Sequence, residues 1–121
     1  MAYLRTEHQG DVLVVAFNDG RILDESHIQN IGAELLEQVK EAPAGKMLVT
    51  FEGVGFMSSA MIGKIILLNN TCKKAKVTLK LCDIADSVLE VFKLMRLTKI
   101  LDIQPNVEKG LASFEKKGWF G

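Results

Sequence analysis

Short apolar runs alternate with longer segments whose apolar residues recur at three- and four-residue steps, and this alternation restricts the fold most. The run Met47–Phe51 is apolar on both faces, which predicts a buried, central strand. Residues 61–68 then follow the helical period. A parallel pair of strands needs a long crossover, usually a helix, so this pattern predicts a mostly parallel sheet.

The same test along the whole chain predicts five strands and four helices. Tyr3–Glu7 and Val12–Phe17 flank Gln9-Gly10-Asp11, which predicts an antiparallel hairpin. The element order is ββαβαβαβα, so the predicted fold is α/β, with a mixed sheet packed against helices in a single domain over residues 1–121. The later strands are predicted at Met47–Phe51, Val77–Cys82 and Ile100–Ile103.

Polar and small residues mark where the helices should begin and pack. Asp24 or Ser26 can cap the first helix, and Ser26 with Gln29 matches a capping box. Asp83 is expected to cap the third helix, whose predicted apolar face holds Val88, Val91, Phe92 and Met95, and Pro105-Asn106 to open the fourth. Gly63, alone inside the second helical pattern, is expected to let that helix pack closely on the sheet.

The charge balance restricts the partners. The chain has 15 Lys and Arg residues against 15 Asp and Glu residues, which argues against nucleic acid or an anionic membrane as the main partner. The longest nearly apolar run, 61–68, is too short to span a membrane, and the N-terminus lacks a signal-peptide pattern. Cys72 and Cys82 lie in apolar contexts, which predicts buried thiols and a cytoplasmic location.

A pair of serines, Ser58-Ser59, follows the strand Met47–Phe51 where the second helix begins. Backbone N–H groups are unpaired at such a position and the helix dipole is positive there, so it suits a phosphate. The plainer interpretation is an N-terminal cap, which needs only one hydroxyl. No nucleophile motif, phosphate-loop pattern or metal-ligand spacing occurs, so we expect no enzyme activity, no metal and no cofactor.

The segment from Gly53 to Gly63 resembles the core motif of the STAS domain, the sulfate transporter and anti-sigma factor antagonist family. The family pattern is Gly-Val-x-Phe-Met/Ile-Asp-Ser-Ser/Thr-Gly-Leu-Gly after a strand and before a helix. This chain has Gly53-Val54-Gly55-Phe56-Met57-Ser58-Ser59-Ala60-Met61-Ile62-Gly63. The element order resembles the family's over nearly the whole chain, which implies a STAS-like fold.

In bacterial antagonists of this family, an anti-sigma serine kinase phosphorylates the motif serine, and this blocks binding between the two proteins. The resemblance therefore implies a regulatory binding module with a kinase or anti-sigma factor as its partner. It implies Ser59 as the phosphoacceptor, with Ser58 as the alternative. The implied partner-binding residues are Asp24, Gly55, Phe56, Met57, Ser58, Ser59, Ala60 and Met61.

Three positions depart from the family motif. Ser58 replaces an Asp, Ala60 a Ser or Thr, and Met61 a Gly. Two interpretations therefore stay open: a switch that works through Ser59, and a scaffold subunit of a signalling or transport assembly that is not phosphorylated. The oligomeric state is also open, with a homo-oligomer among the alternatives, and so is the role of the tail Trp119-Phe120.

Overall fold

Five strands and four α-helices make up the computed structural model, which describes residues 3–18, 25–42 and 44–115. The predicted order ββαβαβαβα is confirmed for this part of the chain, with one 3₁₀ turn, Leu97–Lys99, before the last strand. The strands are β1 Leu4–Gln9, β2 Val12–Phe17, β3 Lys46–Thr50, β4 Thr78–Cys82 and β5 Asp102–Gln104. The helices are α1 Glu25–Lys40, α2 Ser59–Lys74, α3 Asp86–Leu94 and α4 Val107–Glu115.

The sheet has the order β1-β2-β3-β4-β5, and β3 is its central strand as predicted. β1 pairs antiparallel with β2 through a turn at Gly10, whose φ of +62° glycine adopts without strain. The other pairs are parallel. The carboxyl ends of β2 to β5 therefore meet at one end of the sheet, called here the carboxyl end, and their starts meet at the amino end.

Helices cover both faces of the sheet. Buried side chains of α1, α2 and α3 share one core cluster with one face of the strands, including Ile31, Ile65 and Phe92. On the other face Phe114 of α4 packs with Leu48 of β3 and with its neighbours Val12, Val14 and Cys82. Leu48 and Val49 are fully buried on opposite faces of β3, which explains why this strand is apolar at every central position.

Close helix packing occurs at a different glycine from the one predicted. Gly63 is exposed, and a Cβ added there would meet nothing within 4 Å, so the expectation that it packs on the sheet is wrong. The close approach is at Gly110 of α4, where an added Cβ would lie 2.9 Å from Leu48 Cδ1. Gly63 instead lies on the exposed side of α2, where it leaves the helix backbone without a covering side chain.

The predicted helix starts are partly right. The Asn106 side chain accepts a hydrogen bond from the Lys109 N–H at 2.9 Å, which confirms the start of α4. Asp83 does not cap α3, because Ala85 occupies the cap position and makes no side-chain hydrogen bond there. Helix α1 begins at Glu25, so Ser26 lies inside its first turn, and Asp24 lies outside the described residues.

The last strand and the third helix also differ from expectation. Ile100 and Leu101 donate backbone hydrogen bonds to the Leu97 carbonyl at 3.1 and 2.9 Å. Because these bonds close a turn, β5 starts at Asp102 rather than Ile100. On α3, Val88 and Phe92 are buried as predicted, but Val91 and Met95 are 41% and 48% exposed.

Candidate partner-binding and phosphorylation site

The loop between β3 and α2 leaves the carboxyl end of the central strand and carries the serine pair. Phe51 begins it, buried, and its N–H donates to the Cys82 carbonyl at 2.9 Å, which ties the loop to β4. Gly53 has a φ of +86°, and the Val54 N–H then bonds back to Phe51 O at 3.0 Å. The loop thus begins with a tight turn that needs glycine.

Two apolar side chains pin the rest of this loop to the core. Val54 is 3% exposed and Met57 is 7% exposed. Between them Gly55 is exposed and Phe56 projects outward with 71% of its surface accessible. A large aromatic side chain left in water is the unusual feature of this loop, because burying it would stabilise the domain.

Ser58 is the N-terminal cap of α2. Its backbone is extended, with φ −75° and ψ 163°, and its Oγ accepts a hydrogen bond from the Met61 N–H at 3.2 Å. Its carbonyl accepts from the Ile62 N–H at 3.0 Å. The plainer interpretation of the serine pair therefore applies to Ser58, which is half-buried and engaged in the helix start.

Ser59 is the first residue of α2 and is exposed. The N–H groups of Ser59 and Ala60 precede the first intrahelical hydrogen bonds and have no intrahelical partner. No acidic residue lies in the first turn of α2, and Lys73 and Lys74 lie in its last turn. The positive end of the helix dipole is therefore not offset by a carboxylate of its own helix, which suits a negative group on Ser59.

The predicted partner-binding residues divide into two groups. Gly55, Phe56, Ser59 and Ala60 are exposed within the segment 55–60, on either side of buried Met57 and half-buried Ser58. Met57 and Met61 are buried, Met61 completely, so their side chains support the loop from below and present no surface to a partner. Asp24 lies outside the described residues.

Beside this loop, at the ends of β3 and β4, lies a polar network that the sequence analysis missed. The Thr50 hydroxyl donates to the Asp83 carboxylate at 2.7 Å and accepts from the Glu52 N–H at 3.3 Å. The Cys82 thiol also approaches Asp83, at 3.4 Å. The sequence signal was weak: Thr50 lies near the end of one predicted strand and Asp83 directly follows another, but the sequence does not show that these strands are neighbours.

The two cysteines are buried thiols in the reduced form. Burial, together with the nearby Asp83 carboxylate, raises the pKa of Cys82 to about 12. Burial alone raises the pKa of Cys72 to about 11. Both side chains therefore stay protonated near neutral pH and act as small apolar groups of the core.

In the described residues no group of His, Cys, Asp and Glu could hold a metal ion, and no helix is long and apolar enough to cross a membrane.

The architecture is that of an α/β domain with a serine pair at the start of the helix that follows its central strand. The STAS domain model matches residues 3–110, and the chain therefore belongs to the STAS domain family. This confirms the resemblance found from the Gly53–Gly63 segment. No curated protein sequence matches the chain.

Solved structures share the fold at low sequence identity. A candidate anti-sigma factor antagonist from Thermotoga maritima has a TM-score of 0.80 at 14% identity, over 91% of this chain and 92% of that one. An anti-sigma-factor antagonist (STAS) domain protein from Planctomyces limnophilus gives 0.79 at 19% identity, over 91% and 96%. The Bacillus cell fate determinant SpoIIAA, solved in its phosphorylated form, gives 0.65 at 16% identity, over 91% and 96%. At these identities the likeness concerns the fold.

Proposed function

We propose that this STAS domain is a regulatory binding module that docks a partner of the anti-sigma factor or serine-kinase type and is switched by phosphorylation of Ser59. The observation that carries the proposal is that the two adjacent serines have different structural roles. Ser58 is engaged as the cap of α2, whereas Ser59 is exposed beside free N–H groups. A kinase can therefore reach the Ser59 hydroxyl without breaking the hydrogen bond that caps α2.

The exposed part of the loop supports a docking role. From Gly53 to Gly63 the chain has no charged residue, and Phe56 offers an aromatic side chain of the kind that anchors protein interfaces. We assign the partner contact to the exposed residues Gly55, Phe56, Ser59 and Ala60. Met57, Met61 and Ser58, the cap of α2, hold the loop in shape. Asp24, which precedes α1, stays in the proposal from the family resemblance.

Phosphorylation would act by electrostatics. A phosphate adds about −1.5 to −2 charges at neutral pH to a stretch that otherwise has none. Within the docked complex this charge would have to lose water or face the partner's own surface, and either effect opposes binding. In the free domain the two N–H groups at the start of α2 would stabilise it. The module would therefore bind its partner unmodified and release it when phosphorylated.

The structural relatives favour the same proposal without testing it on this chain. Two of them are described as anti-sigma factor antagonists, and SpoIIAA has been solved in its phosphorylated form. We extend that role to this chain as a non-catalytic regulator in the cytoplasm.

One observation favours the alternative of a scaffold subunit that is not switched. Ser58 stands where the family motif has an Asp, and α2 has no acidic residue in its first turn. The carboxylate that would sit beside the acceptor is therefore missing.

Binding measurements with two variants separate the alternatives. The partner to purify first is any small ATP-binding kinase encoded next to this gene. Ser59→Ala should bind it like the wild type, whereas Ser59→Asp should bind at least about tenfold more weakly, because even one added charge opposes docking. Ser59→Asn is the matched control, since it has nearly the size of Asp at the same position without adding charge, and it should bind like the wild type. Equal binding by Ser59→Asp and the wild type would contradict the switch and support the scaffold.

A further inference from the structure

The amino end of the sheet, opposite the serine loop, carries a second distinctive surface. The loops that precede β4 and β5 lie side by side there, because these strands are parallel neighbours. Helices α2 and α3 pack on the same face of the sheet and both end at its amino end. Six exposed cations lie on these two helix ends and loops: Lys73, Lys74, Lys76, Lys93, Arg96 and Lys99.

None of these six cations is neutralised within the described residues. The ion pairs found there join Lys40, Lys46 and Lys80 to acidic partners, and none of the six takes part in one. Neither the segment 70–82 nor the segment 91–101 contains an acidic residue. A concentrated positive surface on a chain of zero net charge is therefore a local feature of this end.

Large aliphatic side chains are exposed on the same segment as three of these cations. Leu94 is 83% exposed, and Met95 and Ile100 are 48% and 49% exposed. In the sequence they are interspersed with Lys93, Arg96 and Lys99. We call this surface, made of the six cations and these three side chains, the basic aliphatic face.

The backbone at two of these cations is left-handed, as is common where a helix ends, and among the described non-glycine residues Asp83 shares this conformation. Lys76 and Arg96 both have a φ of +61°, in the left-handed region where glycine or asparagine is favoured. A side chain other than these costs roughly 1–2 kcal/mol there. The chain therefore keeps two cations on this face at positions where an uncharged glycine would be more stable.

We propose that the basic aliphatic face docks the domain on an anionic lipid surface. Anionic headgroups attract clustered Lys and Arg, and projecting aliphatic side chains enter the boundary between headgroups and acyl chains. The phosphates of nucleic acid would match the cations but would leave Leu94, Met95 and Ile100 in water. Among the described residues, this face also lacks the stacking aromatics of a single-strand binder, because Phe92 is buried. An acidic protein partner would be expected to meet an aromatic anchor here, as Phe56 provides at the other end.

Sedimentation with lipid vesicles tests the proposal on the full chain. Vesicles of phosphatidylcholine with about one third phosphatidylglycerol should bind it, and pure phosphatidylcholine vesicles should not. Raising the salt should release it, because the cations are exposed and their attraction is screened. The variant Ser59→Ala should bind vesicles like the wild type, so this test and that of the Ser59 switch can fail separately.

Matched variants locate the contact. Lys93→Ala/Lys99→Ala should weaken binding about 25-fold, since each cation near an anionic surface is worth about fivefold. Lys40→Ala/Lys109→Ala loses the same net charge outside the face and should bind like the wild type. Leu94→Ser should weaken binding while keeping its salt dependence. These side chains are exposed, so the variants should keep the wild-type melting temperature within a few degrees.

Other outcomes would overturn the proposal. Equal binding to both vesicle types, or an equal loss in the two double variants, would show that the face is not the lipid contact. Binding to a synthetic acidic amphipathic peptide without binding to vesicles would assign the face to a protein partner. Self-association in analytical ultracentrifugation that only the Lys93→Ala/Lys99→Ala variant loses, without vesicle binding, would assign it to a second copy of the chain.

Discussion

The two ends of the sheet differ in how they present side chains. At the carboxyl end no charged residue occurs from Gly53 to Gly63, and buried Val54, Met57 and Met61 hold the exposed Phe56 and Ser59 in place. At the amino end the basic aliphatic face holds six exposed cations, and two of them, Lys76 and Arg96, have a left-handed backbone. The first end carries one site where a charge can be added, on a loop that buried apolar side chains support. The second keeps its charge at some cost in stability.

The largest effect should come from the buried support of the serine loop. Met61→Ala should lower the free energy of unfolding by about 2–5 kcal/mol, because it opens a cavity under a side chain that is completely buried. Leu67→Ala, on the same helix but 44% exposed, should cost well under half as much. Denaturant unfolding followed by circular dichroism measures both. Similar losses would contradict the distinction between supporting and presented residues.

The network at the ends of β3 and β4 should have the next largest effect. Asp83→Ala leaves the buried Thr50 hydroxyl without the carboxylate that accepts its hydrogen bond, which should cost about 1–3 kcal/mol of unfolding free energy. Asp86→Ala is the control, because Asp86 is exposed in the first turn of α3 and contributes about 0.3–1 kcal/mol through the helix dipole. If the two losses are equal in the same unfolding assay, the network does not hold these strand ends together.

Substitution of the two serines should change the stability of the free domain by different amounts. Ser58→Ala removes the cap of α2 and should cost about 1 kcal/mol. Ser59→Ala changes an exposed side chain and should stay within about 0.5 kcal/mol of the wild type. Thermal melts of both variants check this. A larger loss for Ser59→Ala than for Ser58→Ala would reverse the assigned roles.

The smallest effect is expected at the amino end and has the opposite sign. Arg96→Gly relieves the left-handed strain but adds freedom to the unfolded chain, so the net gain should be below about 1 kcal/mol. Lys99→Gly, within the 3₁₀ turn, has no such strain to relieve and should destabilise the domain. Differential scanning calorimetry resolves the two signs. A clear loss for Arg96→Gly would show that the arginine side chain stabilises the fold.

The sequence predicted the element order and the central strand because period and apolar runs are local signals, and β3 is apolar on both faces. The sequence predicted a residue's structural role less well where that role depends on a contact with a neighbouring strand. Asp83 was expected at a helix start, but it accepts a hydrogen bond from Thr50, 33 residues away along the chain. Val91 and Met95 fit the helical period and are nevertheless exposed, since period alone does not show how far a helix is covered.

The candidate site was located by sequence, but its internal division was not. The Gly53–Gly63 motif identified the loop, and two adjacent serines left the cap and the acceptor open. The hydrogen bond from the Met61 N–H to Ser58 Oγ separates them, and such a bond depends on the local backbone angles rather than on residue type. The burial of Met57 and Met61 likewise follows from how the loop folds onto the core.

Phosphosite mapping by mass spectrometry, after incubation with ATP and a serine kinase encoded next to this gene, tests the central claim most directly. The account predicts phosphate on Ser59, lost in Ser59→Ala and kept in Ser58→Ala. Phosphate on Ser58, or on a serine outside this loop, would contradict it, as would an unmodified domain that nevertheless binds the active kinase.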